Sequence, residues 1–192
     1  IDAVEVRLPA GEATLTALDR YAPSASQTVR GNVVEAGKGL AGARQAVANG
    51  TASLQAGDTA KAASATRLAL EGVTGATGLL DAIDRLAASI AAAEQQLPGA
   101  LREAEADLAD ARATTTETGI EPGSPIAARL SEAERALAAA QASAAASPRD
   151  PAAALSTATS LDSVKRSTNA SASSGGRCSA TSKDITTSLF FR

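Results

Sequence analysis

One stripe of small and apolar residues runs through the middle of the chain without a gap, at alternating spacings of three and four residues. Its members are Ala62, Ala65, Ala69, Gly72, Ala76, Leu79, Ile83, Leu86, Ile90, Ala93 and Leu97. This spacing keeps the residues on one face of a helix wound at about 3.5 residues per turn, the pattern of a coiled coil or tight helix bundle. We therefore predict a long helix, helix B, that packs along its whole length up to Leu97. Val73 and Leu80 lie beside the stripe and widen its apolar face.

Alanine supplies most of the apolar content of this chain. Hydrophobic residues make up 44% of the 192 residues, whereas aromatic residues make up only 2%. Alanine favours the helix and lets two helix backbones approach closely, but each alanine buries little area. A core of this kind has to be long and thin. We therefore predict an all-α fold, an elongated, antiparallel, coiled-coil-like bundle of four to five helices with helix B as its spine.

A second long helix, helix A, is predicted over 25–55. Its seam alternates large residues, which lie seven positions apart, with smaller ones. The large set is Val33, Leu40, Val47 and Leu54, and the intermediate set is Val29, Ala36, Ala43 and Gly50. Such alternation suits close antiparallel packing, because a large side chain can meet a small one. Gly57 is a natural C-terminal cap for helix A, and Asp58 is a natural N-cap for helix B.

The remaining helices are placed by proline and glycine. We expect Leu97-Pro98-Gly99 to break helix B and to begin helix C, which runs to about residue 115; whether the chain kinks or reverses there stays open. Residues 116–124 are predicted to form a loop, after which Ser124 and Pro125 open helix D. A corner over 147–151 leads to helix E. The inward stripes are Leu101, Ala104, Leu108 and Ala111 on helix C, and Ile126, Leu130, Ala133, Leu137, Ala140 and Ala144 on helix D.

The two ends of the chain differ from this helical centre. Val4, Val6 and Leu8 alternate with polar residues, which fits a short strand or an extended linker, and we favour the linker because no partner strand is visible. A short helix is expected over 12–21. The predicted organisation is thus an N-terminal segment over 1–23, a helical bundle over 24–163, and a Ser/Thr-rich tail over 164–192 that is disordered or a non-native continuation.

The residues needed for most catalytic sites are missing. The chain has no His and a single cysteine, Cys178, which we interpret as a free thiol without a role. The Ser-His-Asp, Cys-His and His-zinc arrangements are therefore excluded. No glycine-rich phosphate-binding loop is present either. We predict that the chain is not an enzyme and has no catalytic, cofactor-binding or metal-binding residues.

Acidic residues are the one remaining source of a candidate site. They lie on two predicted helices: Glu103, Glu105, Asp107 and Asp110 on helix C, and Asp81 and Asp84 on helix B. A calcium or magnesium site needs several oxygens that converge from an ordered loop or from facing helices. We interpret both groups instead as solvated helix faces. The arginines expected to pair with them are Arg102, Arg112 and Arg85.

The charge and hydrophobicity patterns indicate which classes of binding partner to expect. The net charge is −3, and dense runs of Lys and Arg with interleaved aromatic residues do not occur, so we expect no nucleic-acid partner. The longest apolar runs are shorter than a membrane span, so we expect no transmembrane helix within this stretch. The Ala/Gly face is interpreted as intramolecular core, while a protein partner, or self-association through the helical seams, stays open.

Five segments of the chain carry a family resemblance, and they lie at 18–25, 79–84, 97–113, 128–140 and 150–155. They are similar to the long Ala-rich helical region of actinobacterial TPM-domain proteins, and the resemblance covers about 15–163. The resemblance implies a parent protein with an extracytoplasmic TPM domain, followed by a membrane helix and then by this helical region. We therefore expect this segment in the cell envelope and favour the cytoplasmic side of the membrane for it. Phosphatase activity has been attributed to the TPM domain in some relatives. That domain is not in this stretch, so none of its acidic positions is assigned to a residue here.

Two functions remain open on the sequence. The first is a non-catalytic scaffold or spacer, the soluble helical part of a membrane-anchored protein whose apolar stripes are all used internally. The second is a tetratricopeptide-like module that holds a peptide or a partner helix, based on the similar corners at Gly57-Asp58 and Arg149-Asp150. The second function needs an exposed groove.

Overall fold

The fold is all-α, as predicted. A computed structural model describes residues 1–121 and 123–161; helices make up 84% of these residues, and no strand occurs among them. The helices are α1 (Asp2–Glu5), α2 (Leu8–Leu18), α3 (Pro23–Ser26), α4 (Asn32–Gln55), α5 (Thr59–Glu117) and α6 (Pro125–Ala145), with further helix over 151–161. The prediction of a helical bundle is confirmed. The predicted tail over 164–192, which contains Cys178, lies outside the described residues.

The chain divides into two compact units. Unit 1 comprises Ile1–Gln96 with Ser143–Ala152, and the described part of unit 2 comprises Leu97–Ala142 with residues 153–161. Unit 1 therefore holds α1 to α4, the first part of α5 and the corner before residue 153. Unit 2 holds the second part of α5 and most of α6.

In unit 1, α4 and the first part of α5 form an antiparallel hairpin. A Cβ added at Gly39 would lie 3.3 Å from the Gly72 carbonyl oxygen, and one added at Gly50 would lie 3.2 Å from the Ala65 Cβ. At the far end of the hairpin, the Asn32 side-chain amide donates to the Leu79 carbonyl at 3.0 Å. Small residues on both helices thus permit backbone contact, which is the packing that the alanine-rich stripe predicts.

The predicted stripe of helix B is confirmed as the inward face of α5. Eight of its eleven positions are buried, and the other three, Gly72, Leu79 and Leu86, are partly buried. Ile83 is fully buried in a cluster that also contains Val33 and Leu40 of α4. The stripe is therefore core.

Two of the eight predicted seam positions of helix A are wrong. Val33 and Leu40 are buried as predicted, but Val47 is 50% exposed and Leu54 is 61% exposed. Ala46 is buried instead of Val47. The physical reason is the close approach of Gly50 to Ala65, since the gap between the helices at this end admits only small side chains.

The start of helix A is also later than predicted. Residues 27–31 form turns, and α4 begins at Asn32. In this segment the Val29 amide donates to the Ser26 carbonyl, and the Asn32 amide donates to the Val29 carbonyl, at 3.1 and 3.0 Å. These bonds span three residues rather than four, so the chain turns more tightly than an α-helix.

The N-terminal segment is helical, so the extended linker predicted over 1–8 is wrong. Ile1, Val4 and Leu8 are spaced three and four residues apart and pack against the core, whereas Val6 is 78% exposed. The apolar residues thus follow the helical period rather than the strand period. Gly11 of α2 lies against the hairpin, because a Cβ there would be 3.1 Å from the Leu80 side chain. The short helix predicted over 12–21 is observed as α2, shifted toward the N-terminus.

The predicted corner between the two long helices is confirmed. Gly57 has a φ of +79°, and the Asp58 amide donates to the Ser53 carbonyl at 2.9 Å, as in a Schellman cap. The Asp58 carboxylate then accepts from the Lys61 amide at 3.0 Å and caps α5. This backbone hydrogen bond, with the nearby Lys61 ammonium, lowers the pKa of Asp58.

The helix end predicted at Leu97-Pro98-Gly99 is wrong, and so is a reversal there, because α5 continues through Pro98 to Glu117 and includes the predicted helix C. Proline has no N–H, so the carbonyl of Glu94 loses its helical partner, and an interior proline is unfavourable by about 3 kcal/mol. Ala93 and Leu97 are nonetheless buried on the turn that precedes it. Packing of the apolar face outweighs the local preference, as it does for most helices in proteins.

Unit 2 follows the prediction more closely. Ser124 accepts a hydrogen bond from the Ala127 amide at 3.2 Å, so α6 begins at the predicted Ser-Pro pair. Gly119 and Gly123 have positive φ values in the loop that precedes it. The buried residues of this unit are Leu97, Ala104, Ala133, Leu137, Ala140, Ala154 and Ala158. Its core is thus built almost entirely from alanine and leucine.

Candidate functional site

The acidic pair on α5 in unit 1 forms an ion-pair network with the N-terminal segment. Arg7 Nη2 lies 2.7 Å from an Asp81 oxygen and 2.9 Å from an Asp84 oxygen. The Asp81 hydrogen bond, followed by that of Asp84, raises the pKa of Arg7. The sequence predicted Arg85 as the partner, but Arg85 Nε donates to the Asp81 backbone carbonyl instead. The two carboxylates therefore join α5 to the turn between α1 and α2.

The acidic residues of unit 2 do not converge on one point. The Glu105 carboxylate accepts from the Gln141 side chain at 2.6 Å, while Glu103 and Asp107 border an open cavity of about 160 Å³. Their predicted arginine partners pair elsewhere. Arg112 lies 2.7 Å from Glu134, and Arg102 Nε donates to the Pro98 carbonyl at 3.1 Å. In residues 1–121 and 123–161, no three Asp, Glu, His or Cys side chains are grouped so as to hold a metal ion.

A polar cluster joins the corner near residue 149 to the N-terminal segment of unit 1. Tyr21 is 3% exposed and forms an isolated parallel bridge with Arg149. The Ala22 amide donates to the Arg149 carbonyl at 2.9 Å, and the Ser24 hydroxyl donates to the Asp150 carboxylate at 3.1 Å. The sequence did not single out this cluster, because no local pattern relates residues that lie more than 120 positions apart.

Two guanidinium groups of this cluster share one carboxylate. Arg149 Nη2 lies 2.8 Å and Arg20 Nη2 lies 3.5 Å from oxygens of Glu94. The Arg20 guanidinium also lies 4.7 Å from the centre of the Tyr21 ring, in cation–π geometry. Arg20 and Arg149 line an open cavity of about 280 Å³ together with residues 144–147. This cavity adjoins the C-terminal end of α6, whose partial negative charge favours cations such as these two arginines.

An uncharged apolar surface lies near the turn of the α4–α5 hairpin. We call it the tip face and define it by Val47, Thr51, Leu54, Thr66 and Leu70. The three aliphatic side chains are 50–66% exposed. The Thr51 and Thr66 hydroxyls donate to backbone carbonyls of their own helices, at 3.0 and 2.9 Å, so their hydrogen-bonding capacity is turned toward the helix. The sequence placed Val47 and Leu54 in the core and therefore missed this surface.

None of the described helices is long and apolar enough to cross a membrane. No protein-family profile matches the chain, and neither a curated protein nor a solved structure matches it significantly.

Proposed function

We propose that this chain is a non-catalytic helical scaffold or spacer region of a membrane-anchored TPM-domain protein. The observation that carries the proposal is the inward stripe of α5, whose positions are all buried or partly buried within the chain. A helix that uses its apolar face along its whole length for intrachain packing is suited to hold other parts of a protein at a fixed separation. The parent protein and the cytoplasmic side are inferred from the sequence resemblance alone.

Two features of the packing support a mechanical role. The Gly39–Gly72 approach brings two backbones into contact, and such contact leaves little freedom for one helix to slide along the other. Arg7 joins two carboxylates of α5 to the N-terminal segment, and Arg44 joins Asp2 and Glu5 of α1 to α4. These contacts tie three consecutive parts of unit 1 together.

A second candidate function, a module that binds a peptide or a partner helix, is favoured by one observation. The tip face leaves Val47, Leu54 and Leu70 exposed in one half of unit 1. Exposed aliphatic residues that cluster on one surface mark interaction sites more often than isolated ones do. The two Asp-led corners add little to this candidate, since Asp58 caps a helix and Asp150 accepts a hydrogen bond from Ser24.

The two functions are separated by a mutational series in the full-length parent protein. A scaffold loses function in proportion to its loss of helix stability, so a core variant such as Ile83→Ala is expected to impair the parent protein. A solvent-side variant such as Leu68→Ala is expected to leave it intact. Loss of function in an exposed-residue variant with an unchanged unfolding midpoint contradicts the scaffold role and favours the binding module.

The proposed membrane side has a separate test. Val6 is 78% exposed, so a Val6→Cys variant in a Cys178→Ser background gives one labelling position in unit 1. A membrane-impermeant maleimide is expected to label it only after the cells are permeabilised. Equal labelling in intact cells contradicts the cytoplasmic side.

A further inference from the structure

The helix register places the tip face on the same side of the hairpin as α1. In an antiparallel pair of right-handed helices, the residues that directly follow the inward positions lie on one common side. Val47, Leu54 and Leu70 follow Ala46, Ser53 and Ala69 in this way. Arg44 follows buried Ala43, and its side chain pairs with Asp2 and Glu5 of α1.

Only part of this side is covered. Ile1 packs against the cluster of Ala43, Ala46 and Ala69, and from there α1 and α2 follow the groove away from the hairpin turn. Toward the turn, no helix or loop within residues 1–121 and 123–161 covers the groove. Val47, Leu54 and Leu70 are consequently exposed there. A three-helix arrangement therefore becomes a two-helix arrangement at the tip.

The open residues repeat with the spacing of a second helical seam. On α4 the exposed series is Val47, Thr51 and Leu54, and on α5 the exposed residues of this side are Thr59, Thr66 and Leu70, while Ala62 between them is buried and Val73 beyond them is partly buried. The exposed residues of each helix are three, four or seven positions apart, which is the spacing that packs helices side by side in a four-helix bundle. Two helices that each present such a seam on one side lack the pair of helices that would complete the bundle.

From this geometry we infer that the tip face binds the tip face of a second copy of this chain, and that the four helices form a two-fold symmetric bundle. An interface of this symmetry brings the same patch of each copy together, so any charged residue near the axis meets a like charge. The five residues of the tip face carry no charge, which makes the surface compatible with its own copy. This inference concerns a surface that the scaffold role does not use, and it can hold or fail independently of that role.

The size of the face sets the strength of the dimer. It spans only a few helical turns and offers three large aliphatic side chains per copy, less than the roughly 800 Å² per partner of a standard interface. We therefore expect a reversible dimer with a Kd on the order of 10–100 µM. Such a dimer forms where copies are concentrated and dissociates on dilution.

Sedimentation equilibrium of the whole chain tests the inference. The average mass is expected to rise from 19.0 kDa at low concentration toward twice that value near about 1 mM.

Leu54→Glu and Leu70→Glu should each weaken the association at least about tenfold, because each places a buried charge at the interface. Leu68 is 60% exposed but directly precedes Ala69, so it lies on the other side of the hairpin. Leu68→Glu is the matched control and should change Kd by less than about twofold. Circular dichroism on each variant verifies that the helix content is unchanged.

Cross-linking identifies the face that mediates any dimer. In a Cys178→Ser background, Leu54→Cys is expected to give a covalent dimer with a bismaleimide reagent, whereas Leu68→Cys gives far less. A chain that stays monomeric near 1 mM overturns the inference and leaves the face to a partner helix of another protein. A dimer that persists in both glutamate variants, or that cross-links equally through position 68, also overturns it.

Discussion

The close approach of α4 and α5 can be tested with a single methyl group at Gly72. A Cβ at this position would lie 2.7 Å from the Gly39 carbonyl oxygen and 3.1 Å from the Ala43 Cβ. The first contact is with backbone, which cannot rotate away as a side chain does. Gly72→Ala therefore forces the two helices apart by several tenths of an ångström along this part of the hairpin.

The magnitude follows from two opposing effects. Replacement of an interior helical glycine by alanine stabilises a helix by roughly 1 kcal/mol, whereas overpacking at a well-packed contact destabilises by about 1–3 kcal/mol. Gly75 lies on the same helix and has nothing within 4 Å of an added Cβ, so Gly75→Ala has the first effect without the second. The difference between the two variants removes the helix preference and isolates the steric contact. We expect Gly72→Ala to be less stable than Gly75→Ala by about 1–3 kcal/mol.

Tyrosine fluorescence provides an assay specific to unit 1. Tyr21 is the one tyrosine of the chain, which has no tryptophan, and it is buried in unit 1. Urea unfolding of the wild type and both variants, followed by this signal and by circular dichroism, gives the free energies of unfolding. Gly75→Ala should unfold at higher urea than the wild type, and Gly72→Ala at clearly lower urea than Gly75→Ala. Coincident curves for the two variants would refute the proposed backbone contact.

Three further predictions concern the core, a helix cap and an ion pair of unit 1. Ile83→Ala should destabilise the unit by about 2–5 kcal/mol, measured by urea unfolding, whereas Leu68→Ala at an exposed position should change stability by less than about 0.5 kcal/mol. Asp58 has a lowered pKa in the folded state, so its carboxylate stabilises fully above about pH 5, and this contribution is lost as the pH falls through the lowered pKa. The difference in melting temperature between wild type and Asp58→Ala should therefore shrink at low pH, while the difference between Asp58→Asn and Asp58→Ala should not. Arg7→Ala should lower the unfolding midpoint more at low salt than in about 1 M NaCl, where charges are screened within about 3 Å; an equal loss in both would contradict an electrostatic role.

The parts of the fold that could be predicted from sequence are those fixed by neighbouring residues. The stripe of α5 repeats over many helical turns, so many small burial preferences together determine which face of the helix points inward. Gly57 with Asp58, and Ser124 with Pro125, define helix ends by chemistry within a few residues. In each case the structural determinant lies within one turn of the residues that reveal it.

The wrong predictions depend on distant contacts. Val33 and Leu40 point inward, whereas Val47 and Leu54 turn away, because the close approach at Gly50 and Ala65 leaves space only for small side chains between the two helices. Pro98 lies inside a helix because burial of its apolar neighbours overrides a local signal. The tip face went unpredicted for the same reason, since it exists only because the hairpin excludes those two side chains.

The placement of glycine, alanine and larger residues in unit 1 explains why the tip differs from the rest of the hairpin. At the contact of Gly39 with Gly72, the two backbones lie so close that little apolar surface is available between them. The larger side chains therefore fill the groove beside this contact. Along the covered part, Leu8 and Leu15 of α2 pack against this core, and α2 can lie close to it because Gly11 has no side chain. At the tip the same narrow spacing persists at Gly50 and Ala65, and no helix within residues 1–121 and 123–161 covers the groove there. An alanine-rich hairpin gains much of its stability from the third element laid in its groove, so the tip is the part of unit 1 that gains most from a second copy.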